Sequence, residues 1–450
     1  MRGGAVRRHV EQFQDRLARL YPELMRSKTE TINGKPIHAL SMPVTFQVTD
    51  ACNLCCSYCY QINKGHRVMS LETAKKAIDL IMSGEKGFHE YINPEKSPGI
   101  ILEFIGGEPF LQVDLIDQII DYFREKAVEN YSQWANLFMV SICSNGTLYK
   151  DPKVQRFLKK HRQHLSFSIT LDGNKELHDS CRVFPDGSGS YDLAYSAIKD
   201  WMSKGYYMGS KITLAPANVS YTFDASKHMF ETGYDEININ CVYEEGWTLD
   251  HAKILYDQLK MVADYMLEND YEDYYYAMFD EAFFKPKDPE DVQNWCGGDA
   301  SMLAIDPDGK LYPCLRYMES SLGGQQEPMV IGDVDNGMMM RPEERKRVEC
   351  LRCITRRTQS TDECFNCPIA EGCSWCSAYN YQTFGTADHR ATYICPMHKA
   401  RSLANVYFWN LYYRKHGEDK RFEMHCPKDW ALPIIGEDEY AMLLELSGGN

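Results

Sequence analysis

Long apolar runs are missing from this 450-residue chain: none reaches ten residues. A bilayer-spanning helix needs about 20 apolar residues, so the sequence offers no membrane segment. Positive charge is in deficit too, with 49 Lys and Arg against 64 Asp and Glu and a formal charge of −15. Nucleic acids and anionic membranes are bound through basic patches, so neither is expected as a partner. Residues 1–28 are rich in Arg and Glu and lack the apolar core of a secretory signal, which implies a cytoplasmic protein. Internal repeats and low-complexity tracts are absent as well. The composition is otherwise ordinary, 44% hydrophobic and 25% charged, and at about 150 residues per domain the length suggests roughly three domains.

Cysteine is the exception. Seventeen are too few for a small disulfide scaffold and too many for an ordinary cytosolic enzyme, which points to metal binding. Four lie between Cys52 and Cys59 and nine between Cys296 and Cys395. Cys143, Cys181, Cys241 and Cys426 are scattered and read as plain small hydrophobes or buried thiols.

Hydrophobic periodicity places these clusters on a fold. Residues 1–43 read as an amphipathic helix (Val10, Phe13, Leu17, Leu20) and a hairpin turn at Ile32-Asn33-Gly34-Lys35. Short β-rich runs follow at Val44–Val48, Ile100–Ile105, Phe138–Cys143, Leu165–Leu171, Ser210–Leu214 and Ile237–Val242. Helical patterns alternate with them, the first capped by Ser70 with Glu72 in its opening turn. Such alternation predicts an α/β fold with a parallel sheet, open or curled into a partial barrel. A Tyr- and acid-rich helical bridge is expected from Ala252 to Glu281, and an aromatic helix over residues 400–413. The Cys-rich stretch between them has little periodicity, so metal is expected to supply much of its stability.

The first cluster, Cys52-Asn-Leu-Cys-Cys56-Ser-Tyr-Cys59, directly follows the first strand. Its C-x3-C-x2-C spacing sets three thiolates on one tight loop, leaving Cys55 as a bystander, and about 0.02 such triplets are expected by chance at this composition. Thiolates select iron–sulfur clusters or zinc. Three local ligands leave one iron of a four-iron cluster open to a reactant, whereas a zinc loop is the bland alternative.

At this point the chain resembles the radical S-adenosylmethionine (SAM) superfamily, over about residues 44–245. Tyr58 stands at the aromatic position before the last Cys. Gly106-Gly107-Glu108-Pro109 is similar to the turn whose backbone and Glu hold the methionyl amino group of SAM. Ser144-Asn145-Gly146-Thr147 is similar to the family's Thr-Asn-Gly turn. Thr170-Leu171-Asp172-Gly173, with Arg182 downstream, makes Thr170 and Arg182 candidates for the ribose and carboxylate. Val242 matches an apolar residue near adenine. The resemblance implies a partial (β/α)6 barrel of the TIM type.

The second cluster resembles the SPASM extension, which carries two auxiliary [4Fe-4S] clusters. Its marks are Cys296-x12-Gly309-x4-Cys314, then Cys364-x2-Cys367-x5-Cys373-x2-Cys376 and a closing Cys395, with the hairpin Asp306-Pro-Asp-Gly309-Lys-Leu-Tyr-Pro-Cys314 especially typical. The family usually has three residues where Ser374-Trp375 supplies two. By analogy Cys364, Cys367, Cys373 and Cys395 hold the outer cluster, and Cys296, Cys314 and Cys376 the inner one. Cys350-Leu-Arg-Cys353 offers a fourth inner ligand, Cys353 in the assignment made here, with Cys350 or an open iron as alternatives. Two C-x2-C pairs also suit zinc-ribbon structure.

The resemblance implies SAM cleavage to methionine and a 5′-deoxyadenosyl radical, hydrogen abstraction from a ribosomally made precursor peptide, and electron supply by a flavodoxin- or ferredoxin-type donor. Sulfatase-maturing relatives carry an Asp after the Gly-x4-Cys cysteine, where this chain has Leu315, and often a Gln before Gly-Gly, where it has Ile105. The whole chain looks most like maturases of the CXXX-repeat (ranthipeptide) type, which join Cys sulfur to carbon as a thioether. Epimerisation, carbon–carbon cross-linking and sulfatase maturation are alternatives, with a non-catalytic zinc protein the remotest. Many relatives have a leader-binding domain of some eighty residues, against the 43 that precede the barrel here, so either the leader docks on another surface or a separate leader-binding protein presents it. The expected organisation is 1–43 helix and hairpin, 44–245 barrel, 246–295 bridge, 296–400 extension and 401–450 helix and tail.

Overall fold

The computed structural model describes residues 9–20, 31–32, 35–36, 41–62, 64–244, 246–291, 298 and 301–448. An amino-terminal helix α1 (His9–Leu20) is followed by a short antiparallel pairing of Thr31–Ile32 with Lys35–Pro36. Four parallel strands then lie side by side in chain order: β1 (Ser41–Thr49), β2 (Gly99–Gly106), β3 (Phe138–Ser144) and β4 (Leu165–Ile169). β5 (Ile212–Leu214) and β6 (Ile239–Cys241) form a second parallel pair, joined to β4 by a bridge between Ser168 and Gly209. The expected curled sheet of six strands is therefore present, in a four-plus-two arrangement.

Strand alternation decides what fills the barrel. Phe46, Phe104, Ile142 and Phe167 stand in one register row and belong, with Val44, Leu102 and Val140, to the main apolar core. That core includes the inward faces of α2 (Leu71–Ser83) and α3 (Val113–Glu129). The neighbouring row, Thr45, Glu103, Ser141 and Ser166, points the other way, so the lumen wall is polar. Below it Phe13 and Leu17 of α1 pack on Ile101 and Met139 and close the amino-terminal end of the barrel.

Three features differ from the sequence expectation. The sixth strand is split: Glu236–Ile237 pairs with Tyr275–Tyr276, and only Ile239–Cys241 pairs with β5. The bridge helix (Leu249–Glu268) stops at Asn269 instead of running to Glu281, because Asp270 turns left-handed (φ 58°) and sends the tyrosine run back to that pairing. Tyrosine suits a strand, and a partner distant in sequence settles the choice. The aromatic helix is longer than expected (Cys395–His416), and a further helix (Lys428–Ser447) occupies the expected tail, with Pro433 and a non-helical Gly436 obscuring its period.

The Cys-rich extension continues the barrel sheet. β7 (Leu303–Ile305) pairs in parallel with β1, and β8 (Lys310–Tyr312), β9 (Gly332–Asp333) and β10 (Gly337–Met338) follow as an antiparallel meander. Arg67 ties the two parts together, 2.7 Å from Asp50 at the end of β1 and 2.6 Å from Asp308 in the β7–β8 turn. Among the described residues no helix is long and apolar enough to cross a membrane.

Candidate functional site

The first Cys loop is fastened to neighbouring segments on both sides. The amide of Gly107 donates to Thr49 O (3.1 Å) and that of Glu108 to Ala51 O (2.9 Å), which lays the Gly-Gly-Glu-Pro turn along the loop. A Cβ on Gly107 would stand 2.3 Å from Ala51 O and 2.6 Å from the Cys52 Cβ. The glycine is thus required by the closeness of the cluster loop itself. On the other side, the amides of Cys55 and Ser57 donate to Val183 O and Cys181 O at 2.8 and 3.0 Å. Asn53 and Asn145 complete the frame: Asn145 donates to the Asn53 side chain (2.8 Å), and Asn53 donates to Thr147 Oγ1 (2.8 Å).

Cys52, Cys56 and Cys59 are partly buried and lie within electrostatic range of one another, whereas Cys55 is exposed. Burial pushes the thiols of Cys52 and Cys56 up, opposed by Lys64 at both and by Arg182 at Cys56. Such thiols are proton-bound until a metal displaces the proton.

Glu108 is fully buried and its carboxylate is already in use. Oε1 accepts from Phe110 N (3.1 Å) and Ser144 Oγ (2.8 Å), and Oε2 accepts from Asn145 N (2.8 Å). Its side chain therefore braces the third-strand turn against the second. Burial raises its pKa against the pull of those donors.

A network that the sequence reading missed lies under Tyr58. The Tyr58 hydroxyl donates to Asp172 and accepts from Arg182 Nη1 (2.9 Å), while Thr213 N on β5 donates to Asp172 Oδ1 (3.2 Å). Asp172 and Arg182 are buried, and the Arg182 Nε has no partner. Burial works against the Arg182 charge, yet Tyr58, Cys56 and Asp172 outweigh it and raise its pKa. His178 is held neutral: burial, then Arg182, lowers its pKa to about 3. Its Nδ1 accepts from Asp172 N (3.3 Å), so Nε2 carries the proton to Ser190 Oγ (3.0 Å), which donates on to Arg182 O (2.8 Å). Only the Thr-x-Asp-Gly run with Arg182 downstream hinted at this chain of contacts. Thr170 is buried beside Cys143 (3.5 Å), and Val242 follows β6 with its amide on Leu214 O (2.8 Å).

In the extension, Cys364, Cys367, Cys373 and Cys395 lie within electrostatic range of one another, and burial raises the last three, Cys395 to about 12. Cys426, read as a bystander, is buried within range of Cys367. Cys314 and Cys376 share an apolar cluster with Leu351, Ile354 and Trp375. Cys350 and Cys353 are exposed at the end of a helix (Pro342–Cys353) whose Leu351 enters that cluster. Cys296 lies outside the described residues. Leu315 packs on the same cluster, and Arg316 reaches across to Glu244 (3.4 Å) and over the Tyr60 ring (5.5 Å).

Known proteins match this arrangement. Residues 42–180 match a family model described as a 4Fe-4S single cluster domain. The chain is 24% identical over 306 residues to the antilisterial bacteriocin subtilosin biosynthesis protein AlbA of Bacillus subtilis, covering 66% of this chain and 61% of AlbA. The matches span about two fifths to two thirds of the length of the curated relatives. Among solved structures, anSMEcpe with bound AdoMet and the Kp18Cys peptide superposes with a TM-score of 0.59 at 15% identity, over 84% of this chain and 99% of that one. Streptococcus suis SuiB bound to the precursor peptide SuiA superposes with a TM-score of 0.51 at 13% identity, over 87% and 82%.

Proposed function

We propose that this chain, a radical SAM protein with a SPASM extension, forms Cys sulfur-to-carbon thioether cross-links in a ribosomally made precursor peptide. The residues present fit the groups this requires. The glycine-lined loop brings Cys52, Cys56 and Cys59 together at the carboxyl end of the sheet, and the orphaned Arg182 Nε beside Cys56 suits a carboxylate. The four thiols of the extension stand among guanidiniums with orphaned nitrogens, Arg356 and Arg401, which suits an anionic cluster. When bound, SAM on a [4Fe-4S] cluster supplies hydrogen abstraction from an unactivated carbon.

The chain's own residues orient this chemistry. Tyr58 and Asp172 hold Arg182 in place, and Glu108 and Asn145 fix the turns on either side of the loop. Auxiliary ligands would be Cys364, Cys367, Cys373 and Cys395 for one cluster, and Cys296, Cys314, Cys376 and Cys353 for the other. The polar lumen row and the closed barrel floor leave the strand ends as the face that receives a peptide. Similarity to a bacteriocin biosynthesis protein and to SuiB with its precursor peptide supports a peptide substrate.

The observation that carries this reading over sulfatase maturation is at Cys314. The next residue, Leu315, is packed into an apolar cluster, and Arg316 occupies the surface facing Tyr60, so the position offers no carboxylate base. The test is anaerobic co-expression with a small Cys-containing peptide encoded beside the gene. Mass spectrometry should show two hydrogens lost per cross-link and thiols closed to alkylation. No loss of hydrogen, with one deuterium gained at an α-carbon in heavy water, would replace this function with epimerisation.

A further inference from the structure

We propose that Arg390 raises the reduction potential of the outer auxiliary cluster. The inference rests on the ligand set proposed above, Cys364, Cys367, Cys373 and Cys395.

Arg390 is built against the sulfurs. Its Nη2 lies 3.1 Å from Cys373 Sγ and 3.2 Å from Cys373 O, and its Nη1 lies 3.6 Å from Cys364 Sγ. The backbone holds it in position, with Arg390 N on Gln359 O (3.2 Å) and the guanidinium 6.0 Å from the Trp375 ring. Among the described residues Arg390 makes no ion pair with a carboxylate, so the sulfurs are its counter-charge. The three thiols nearest it, Cys373, Cys364 and Cys395, favour its charged form against its burial.

Two further guanidiniums enclose the same group. Arg356 is 5% exposed, with Nε and Nη1 unpartnered, and has Asp291, Glu371 and Cys364 in electrostatic range. Arg401, with Nε unpartnered, lines a cavity of about 40 Å³ together with Cys241, Cys373 and His398. Burying a guanidinium is unfavourable unless opposite charge offsets it; Asp291 and Glu371 supply part of that charge at Arg356 beside Cys364, whereas Cys241 and Cys373 lead at Arg401.

The consequence is electrochemical. One electron taken up from a donor makes the site one unit more negative, with no bond broken. A guanidinium donating to two of its sulfurs stabilises the more negative state, because charge-assisted hydrogen bonds strengthen as the acceptor gains charge. The first loop is built differently. Lys64 donates to Leu54 O and Arg182 to the Tyr58 hydroxyl, and among the described residues no side-chain cation donates to a sulfur of Cys52, Cys56 or Cys59.

The test uses the full chain with Cys52, Cys56 and Cys59 replaced by Ala, so that only auxiliary clusters contribute to the spectrum. Iron and sulfide are assayed, and dithionite titrations are followed by electron paramagnetic resonance for the Arg390 protein, Arg390→Lys and Arg390→Gln. At the potential where the Arg390 protein has one cluster half reduced, Arg390→Gln should show a reduced-to-oxidised ratio for that cluster at least tenfold lower, a shift of about 59 mV for one electron. Arg390→Lys should fall between the two. An unchanged midpoint in iron-replete variants overturns the proposal, and so does loss of the cluster from both variants, which would make Arg390 structural. If one variant alone keeps its iron, its midpoint decides by the same criterion. A parent protein holding zinc without iron would instead defeat the proposed function.

Discussion

Glu108→Ala separates two roles for the buried acid of the Gly-Gly-Glu-Pro turn. If the carboxylate is a brace, its removal strands the amides of Phe110 and Asn145, which have no other acceptor and lie in a site sealed from water. A buried donor left unsatisfied costs about 1–3 kcal/mol, so the pair costs roughly 2–6 kcal/mol. Ser144 adds less, because its hydroxyl can rotate to a new partner. Relief from burying a carboxylate, the same burial that raises the Glu108 pKa, offsets part of this and leaves about 2–4 kcal/mol. That is a large share of the 5–15 kcal/mol typical of a domain. Urea unfolding of iron-matched samples, with and without SAM, measures it. A Glu108→Ala chain within about 0.5 kcal/mol of the parent without SAM, yet unable to bind SAM, would refute the brace and assign the carboxylate to the ligand.

Further tests address the surrounding frame. Tyr58→Phe removes the hydroxyl between Asp172 and Arg182 at about 1–2 kcal/mol, so SAM affinity by calorimetry should weaken roughly fivefold to thirtyfold; an unchanged affinity would show that the network does not position Arg182. Gly107→Ala drives a methyl into Ala51 and Cys52 at about 1–3 kcal/mol, and iron should fall at the first site with auxiliary iron intact. Cys56→Ala should abolish deoxyadenosine formation while auxiliary iron stays bound, and retained cleavage would remove Cys56 from the cluster. Glu103, partly buried in the lumen with one hydrogen bond from Thr45 (2.7 Å), has a pKa raised by desolvation of its carboxyl. The folded chain therefore holds this proton more tightly than the unfolded one, and stability from this group is lost as pH rises from about 4.5 through the folded pKa. Glu103→Gln should gain stability relative to the parent across that window and show no gain below it; a gap independent of pH would exclude the titration.

The sequence showed the parts of the barrel that repeat locally. Ser70 caps its helix through Thr73 N as its spacing implied, and all four strands of the main row lie within a few residues of the expected runs. The Cys loop was legible because its thiols are close together in sequence. What escaped depends on partners distant in sequence: the Tyr275–Tyr276 pairing that ends the bridge helix, and the attachment of Leu303–Ile305 to β1. The Tyr58–Asp172–Arg182 network escaped for the same reason, since it joins positions 114 residues apart that no period connects. For Gly107 and Glu108 the structure adds neighbours to a motif already visible. Only three-dimensional packing shows that the glycine yields to the Cys loop and the acid to the next turn.

Splicing the barrel away from its extension has a cost that the pairing of β7 with β1 makes definite. Leu303, Ala304 and Ile305 cover Val44, Thr45 and Phe46, so a chain ending near residue 245 would present β1 as an unshielded outer strand. Open strands of that kind recruit other chains. A truncated barrel is therefore expected to come out of solution as aggregate, and a hybrid carrying a foreign extension must supply a replacement for Leu303–Ile305 in the same register.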